Sequence, residues 1–68
     1  MEYEIIQNML IGFTPYDSMD IKKAVFINTN SIVSVFESFG GEVWIDTVDG
    51  QHINVKESLD EVLKKISK

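Results

Sequence analysis

Between residues 24 and 55, apolar side chains recur at the two-residue period of a pleated strand, and polar clusters with glycine interrupt them at short intervals. Residue types agree with the spacing. Sixteen positions are Ile or Val, against three Leu and one Ala. β-Branched side chains pack well on a pleated surface and lose rotamer freedom in a helix. Strands are expected over Ala24–Asn28, Ile32–Phe39, Glu42–Val48 and Gln51–Val55. Thr29-Asn30-Ser31 separates the first two, Gly40-Gly41 reverses the chain into Glu42, and Asp49-Gly50 closes the last hairpin. Asp and Gly both tolerate the positive φ of a type I′ turn, which is the turn expected there.

After Val55 the period becomes helical. Leu59, Val62, Leu63 and Ile66 fall at i, i+3, i+4 and i+7, one apolar stripe on a helix over 59–67. Ser58-Leu59-Asp60-Glu61 has the form of a capping box, with Ser58 as N-cap and Glu61 at the third helical position. Asp60 and Glu61 sit at the positive end of the helix dipole, and Lys64, Lys65 and Lys68 at the negative end. The expected fold is α+β: an antiparallel β-meander of three to five strands over 24–55, packed against one C-terminal amphipathic helix.

The lead segment, residues 1–20, is ambiguous by period. Tyr3, Ile5, Met9, Ile11 and Phe13 alternate as in a strand, while Ile5, Ile6, Met9, Leu10 and Phe13 make a helical stripe. A strand is preferred over residues 1–14, since Gly12 weakens a helix; the helix stays open as the alternative. Thr14-Pro15-Tyr16-Asp17-Ser18 then reads as an irregular loop. Lys22-Lys23 reads as a solvated strand edge that discourages edge-to-edge pairing.

A half-exposed antiparallel sheet needs one apolar face, and here both faces carry large side chains. Val25 and Ile27 oppose Ala24 and Phe26, Val33, Val35 and Phe39 oppose Ile32 and Phe36, and Val43 and Ile45 oppose Trp44 and Val48. One short helix covers one such face. The lead segment, a second copy of the chain or another protein must cover the other. For a chain of 68 residues without cysteine, self-association is the simplest source of extra core. A homo-oligomer is therefore expected, with Trp44, Phe36, Val48 and Ile32 as the contact surface. Phe26 and Phe39 share the reading of Trp44 and Phe36 as core or interface. No arginine accompanies these rings, as it would on a platform for stacked nucleobases.

The length fits a single domain over 1–68. Apolar runs are too short to span a bilayer, and Met1-Glu2-Tyr3-Glu4 lacks the basic start of a signal peptide. A cytoplasmic protein without a membrane span is expected. All six basic residues are lysines, eleven residues are Asp or Glu, and the net charge is −5. Repulsion of this kind opposes direct nucleic-acid binding. Residues 1–20 hold Glu2, Glu4, Asp17 and Asp20 and no base. This acidic surface supports an alternative, an acidic inhibitor of a basic host protein, such as a phage encodes, whose association would be steered by charge and weakened by salt. An oligomer with a small-ligand pocket between subunits is a further alternative.

Candidate chemistry is sparse. His52 is the single histidine. Asp46 and His52 flank the Asp49-Gly50 turn, so Asp46, Asp49 and His52 approach one another, but three such groups in a hairpin read as turn and strand polar positions before they read as a metal cage. Ser31, Ser34, Ser38 and Ser58 have no recognisable histidine partner for a hydrolytic triad. Gly40-Gly41 is followed by neither a helix nor a Lys-Ser/Thr pair, unlike a phosphate loop. No catalytic residue, metal or cofactor is expected, and the chain reads as a non-enzymatic regulatory or interaction protein whose partner is itself or another protein.

From Phe26 to Ile66 the order of signals resembles a small family. Phe26-Ile27-Asn28, Ile32, Val35-Phe36-Glu37 and Val43-Trp44-Ile45-Asp46-Thr47 look like the core of FlbD-type flagellar and swarming-motility proteins. Asp49-Gly50-Gln51-His52-Ile53, Val55-Lys56-Glu57-Ser58 and Glu61-Val62 continue the likeness. The resemblance implies a sheet segment, a glycine turn, a closing helix, and a non-enzymatic role in motility exercised through partners. The family begins with a short strand, whereas this chain has a longer apolar lead. The same stretch also looks like the first half of a LytTR-type DNA-binding domain, whose later strands and basic recognition surface have no counterpart here.

Overall fold

The computed structural model describes residues 4–16 and 24–67. The elements are β1 (Leu10–Phe13), β2 (Val25–Asn28), a 3-10 turn (Thr29–Ser31), β3 (Ile32–Glu37), β4 (Val43–Thr47), β5 (His52–Val55) and α1 (Leu59–Ile66). All strand pairs are antiparallel, in a two-stranded sheet β1-β2 and a three-stranded sheet β3-β4-β5. The α+β architecture is as expected. The meander is three strands long, within the expected three to five, but it begins at β3 and not at residue 24. β2 does not continue into it, because Thr29–Ser31 turns the chain away, with Asn28 Oδ1 accepting from the Asn30 N–H at 2.8 Å. β2 pairs instead with β1, so the lead segment is a strand where it meets β2 and does not form the alternative helix.

Both hairpin turns share one construction. Gly41 N–H donates to Ser38 O at 2.9 Å, and Ser38 N–H to Glu42 O at 2.8 Å. Gly50 N–H donates to Thr47 O, and Thr47 N–H to Gln51 O, both at 3.0 Å. Gly41 and Gly50 have φ of +84° and +87°, while Asp49 is not in the left-handed region. Each turn is therefore a three-residue loop whose last residue, a glycine, is left-handed. The type I′ turn expected at Asp49-Gly50 gives way to this longer loop because Thr47 closes it. Thr47 Oγ1 donates to Asp49 Oδ1 and accepts from the Gln51 N–H.

Helix α1 has the capping box its sequence spells. Glu61 N–H donates to Ser58 Oγ at 3.1 Å, and Ser58 N–H to Glu61 Oε1 at 2.9 Å. At its other end Ile6 N–H donates to Ile66 O at 2.7 Å, satisfying a carbonyl the helix leaves open. Phe13, Ile27, Val43, Ile45, Val55, Val62 and Ile66 form one buried cluster drawn from β1, β2, β4, β5 and α1. Ile11, Val25, Ile32, Val35, Ile53, Leu59 and Leu63 pack around it.

Beyond β1 the chain keeps pairing. Lys56 N–H donates to Thr14 O at 2.8 Å, and Tyr16 N–H to Asn54 O at 3.0 Å, with Pro15 opposite Val55. As far as Tyr16, the stretch expected to be an irregular loop thus has no strand of its own but makes one antiparallel bridge to the free edge of β5. Proline is tolerated there because its missing N–H lies at the position that faces away from β5. Glu57, its side chain only 10% exposed, clamps this junction. Its carboxylate accepts from Thr14 N–H, Thr14 Oγ1 and Lys65 Nζ at 3.0–3.1 Å. Lys65 Nζ also donates to Gly12 O at 2.8 Å. Lys22-Lys23, Asp17 and Ser18 lie outside the described residues.

Candidate functional site

Alternation along β4 divides the three-stranded sheet into two sides. Val43, Ile45 and Thr47 are buried, and Trp44 and Asp46 between them face the other way. Register then builds an outer face in two rows. Phe36, Trp44 and Asn54 stand opposite one another in one row, and Ser34, Asp46 and His52 in the next.

The rows are tied together through His52. Its ring stacks on Trp44 with centroids 4.1 Å apart and planes 7° from parallel. Phe36 lies 6.0 Å from it on a 28° incline. Asp46 Oδ1 bonds Nδ1 of His52, and Ser34 Oγ donates to Asp46 Oδ2 at 3.0 Å. The His52 bond, chiefly, holds the Asp46 carboxyl below its usual pKa, against a smaller opposing effect of desolvation and with help from Ser34. Asn54 keeps its Oδ1 buried without a hydrogen-bond partner, an arrangement that costs about 1–3 kcal/mol relative to a paired acceptor.

Ser34, Asp46 and His52 have the composition of a hydrolytic triad but not its wiring. A triad places histidine between serine and carboxylate, so that the imidazole takes the hydroxyl proton. Here the carboxylate is in the middle, and the Ser34 hydroxyl donates its hydrogen bond to Asp46. The arrangement orients His52 against Trp44 and does not activate Ser34. Asp49, grouped by sequence with Asp46 and His52, is instead bonded to Thr47 in the turn. Among the described residues, no group of three or more His, Cys, Asp and Glu is placed to hold a metal ion.

Of the four residues expected to form one contact surface, Trp44 and Phe36 meet on the outer face. Val48 is exposed but belongs to the β4–β5 turn. Ile32 is on the wrong side. The register shifts between Ile32 and Ser34, so Ile32 stands opposite buried Thr47 and packs against the core. A bulge at Val33 causes this, since one extra residue exchanges the faces of everything before it. Phe26 and Phe39 also stand apart. Phe26 lies over Gly12, where an added Cβ would come within 3.0 Å of its ring, and Phe39 is 114% exposed in the β3–β4 turn. Of the acidic surface, Glu4 is exposed, while Glu2, Asp17 and Asp20 lie outside the described residues.

Sequence reading weighed Ser34 only as a nucleophile and missed its bond to Asp46 and the stack of His52 on Trp44. The usable signal was the hairpin itself: a three-residue loop from Val48 to Gly50 sets Asp46 opposite His52 and Trp44 opposite Asn54. Comparison with known proteins returned no match: no family model fits the chain, and no curated protein or solved structure matches it. No helix among the described residues is long and apolar enough to cross a membrane.

Proposed function

We propose that this chain is a small non-enzymatic regulatory or scaffolding protein of the cytoplasm, working as a homo-oligomer, and that the Phe36–Trp44–His52 face is the surface it offers to a partner protein. One observation carries the reading: three rings are held in a fixed stack on the side of the sheet that the core does not use. Aromatic side chains already fixed in position lose little freedom on binding and are over-represented among residues that dominate interfaces. Here Asp46 and Ser34 supply the fixing bonds. The FlbD-type resemblance over Phe26–Ile66, with its implied action through partners, belongs to the same reading.

The test is capture from a lysate with three immobilised forms: the wild-type chain, Trp44→Asp and Phe39→Asp. A specific partner binds the wild type and Phe39→Asp and is lost with Trp44→Asp, while the helical circular-dichroism signal of all three is unchanged. Equal retention by all three forms would remove the outer face from the proposal.

A further inference from the structure

The three-stranded sheet has two edges, and the described residues seal only one. Thr14–Tyr16 covers β5. At the other edge β3 pairs with β4 alone, and among the described residues no strand lies on its far side. Antiparallel ladders bond alternate residues. Because Ser38 bonds Glu42 in the turn, Phe36 and Ser34 are the residues that face β4, and the N–H and C=O groups of Val35 and Glu37 point outward. Natural edges are guarded by charge, proline, a bulge or a covering segment, and β3 has the weaker of these guards. β3 has neither lysine nor proline, one carboxylate at Glu37, and the bulge at Val33.

A groove runs beside this edge on the core side. It has a volume of about 240 Å³ and is lined chiefly by Ile5, Ile32, Val33, Val35, Leu63 and Ile66. An added strand would bond the outward groups of Val35 and Glu37 and drop its inward side chains into an apolar trough roofed by α1. Edge and groove together make a strand-addition site.

We propose that the occupant is β3 of a second copy of this chain, paired antiparallel about Val35; the proposal rests on the homo-oligomer part of the function above. Charge selects this occupant. Pairing about Val35 sets Glu37 of each copy opposite Val33 of the other, so the carboxylates stand at opposite ends. The α1 helices beside the grooves then run antiparallel, the Asp60 end of each toward the Lys64 end of the other, while Lys65 stays in the Glu57 clamp. Chains of net charge −5 thus meet along a stretch that is nearly uncharged on β3 and complementary on α1. The product is a six-stranded sheet with both aromatic stacks on one outer side, which a partner protein could span.

The experiment is sedimentation of the full chain over a hundredfold concentration range, with Val33→Glu, Val33→Lys, the double variant Val33→Glu/Glu37→Lys, and Trp44→Asp. Val33 is 63% exposed, so its replacements leave the fold intact, and circular dichroism checks this. The expected result is a wild-type dimer weakened roughly tenfold or more by Val33→Glu, which sets like charges opposite one another twice per dimer. Val33→Lys keeps or tightens the dimer, the double variant restores it, and Trp44→Asp leaves it in place. A dimer indifferent to the sign of charge at residue 33 overturns the edge pairing. If that dimer also dissolves with Trp44→Asp, the second copy sits on the outer face, and self-association stands while the edge proposal falls. A wild-type chain that is monomeric throughout overturns both.

Discussion

The two faces of the β3-β4-β5 sheet are built from similar apolar material and held by different forces. On the inner face, Val43, Ile45 and Val55 are buried with Phe13, Val62 and Ile66, and burial of apolar surface accounts for their order. On the outer face, Phe36 remains 40% exposed, and order comes from a stacked imidazole and a carboxylate that grips it. An arrangement sustained by directional contacts in water adds little to folding. It adds definition of shape. In a small chain, large side chains that do not serve the core point to a surface kept for contact.

Substitution at the centre of the inner face should break this comparison most strongly. Ile45 is 0% exposed. Ile45→Ala removes its packing and leaves a cavity, at a cost of about 2–5 kcal/mol. A domain of this size holds roughly 3–10 kcal/mol in all. The urea midpoint should collapse, and at the upper end of the cost the variant is unfolded at room temperature. A midpoint within the error of wild type would place the core elsewhere.

Next in size is the Glu57 clamp, which belongs to neither face but holds the lead strand against β5. Burial works to raise the Glu57 pKa. Bonds from Thr14, from its own backbone N–H and from Lys65 outweigh burial and hold the carboxyl below its usual range. A depressed folded pKa contributes stability that is present above the unfolded carboxylate range, near 4.3, and is lost as pH falls through the folded value. Glu57→Gln should cost about 1.5–3 kcal/mol at neutral pH, the usual worth of hydrogen bonds to a charged group. It should also flatten the acid limb of the stability profile. An acid limb as steep in the variant as in wild type would assign the titration to other groups.

What could be read from the chain divides along the same lines. The helix was legible because Ser58 and Glu61 state its start within four residues, and the stripe from Leu59 to Ile66 states its buried side. The β4–β5 hairpin was legible because Gly50 sits where the backbone needs a left-handed residue. Longer-range features were not. Nothing in Ile32-Val33-Ser34 marks Val33 as the residue left out of register, yet that one bulge moves Ile32 from the outer surface to the core. Pairing of Pro15 with Val55 and the grip of Glu57 on Thr14 join residues about forty apart in sequence, beyond any local period. His52 on Trp44 needed the loop length. A two-residue Asp-Gly turn shifts the hairpin register, whereas the Thr47-closed loop aligns Asp46 with His52.

The smallest effects are expected on the outer face, where they sharpen the comparison. Trp44→Ala removes one ring from a half-exposed stack, and such aromatic pairs contribute about 0.5–1.5 kcal/mol beyond area. His52→Ala should do less, since its side chain is half in water. Both variants should keep a cooperative transition and full helical signal. Intrinsic fluorescence provides a second reading, because Trp44 is the single tryptophan and lies against the ring that Asp46 holds. Asp46 is depressed chiefly by its His52 bond, so the grip is present above the unfolded aspartate range and released as pH falls through the lower folded value. Trp44 emission should change over that acid interval in wild type and stay level in Asp46→Asn, with the urea midpoint nearly the same in both at neutral pH. If Trp44→Ala instead cost as much as Ile45→Ala, the outer face would be a second core and its rings would be explained by folding alone. A small stability change beside a clear spectroscopic one is the signature of a face ordered for contact.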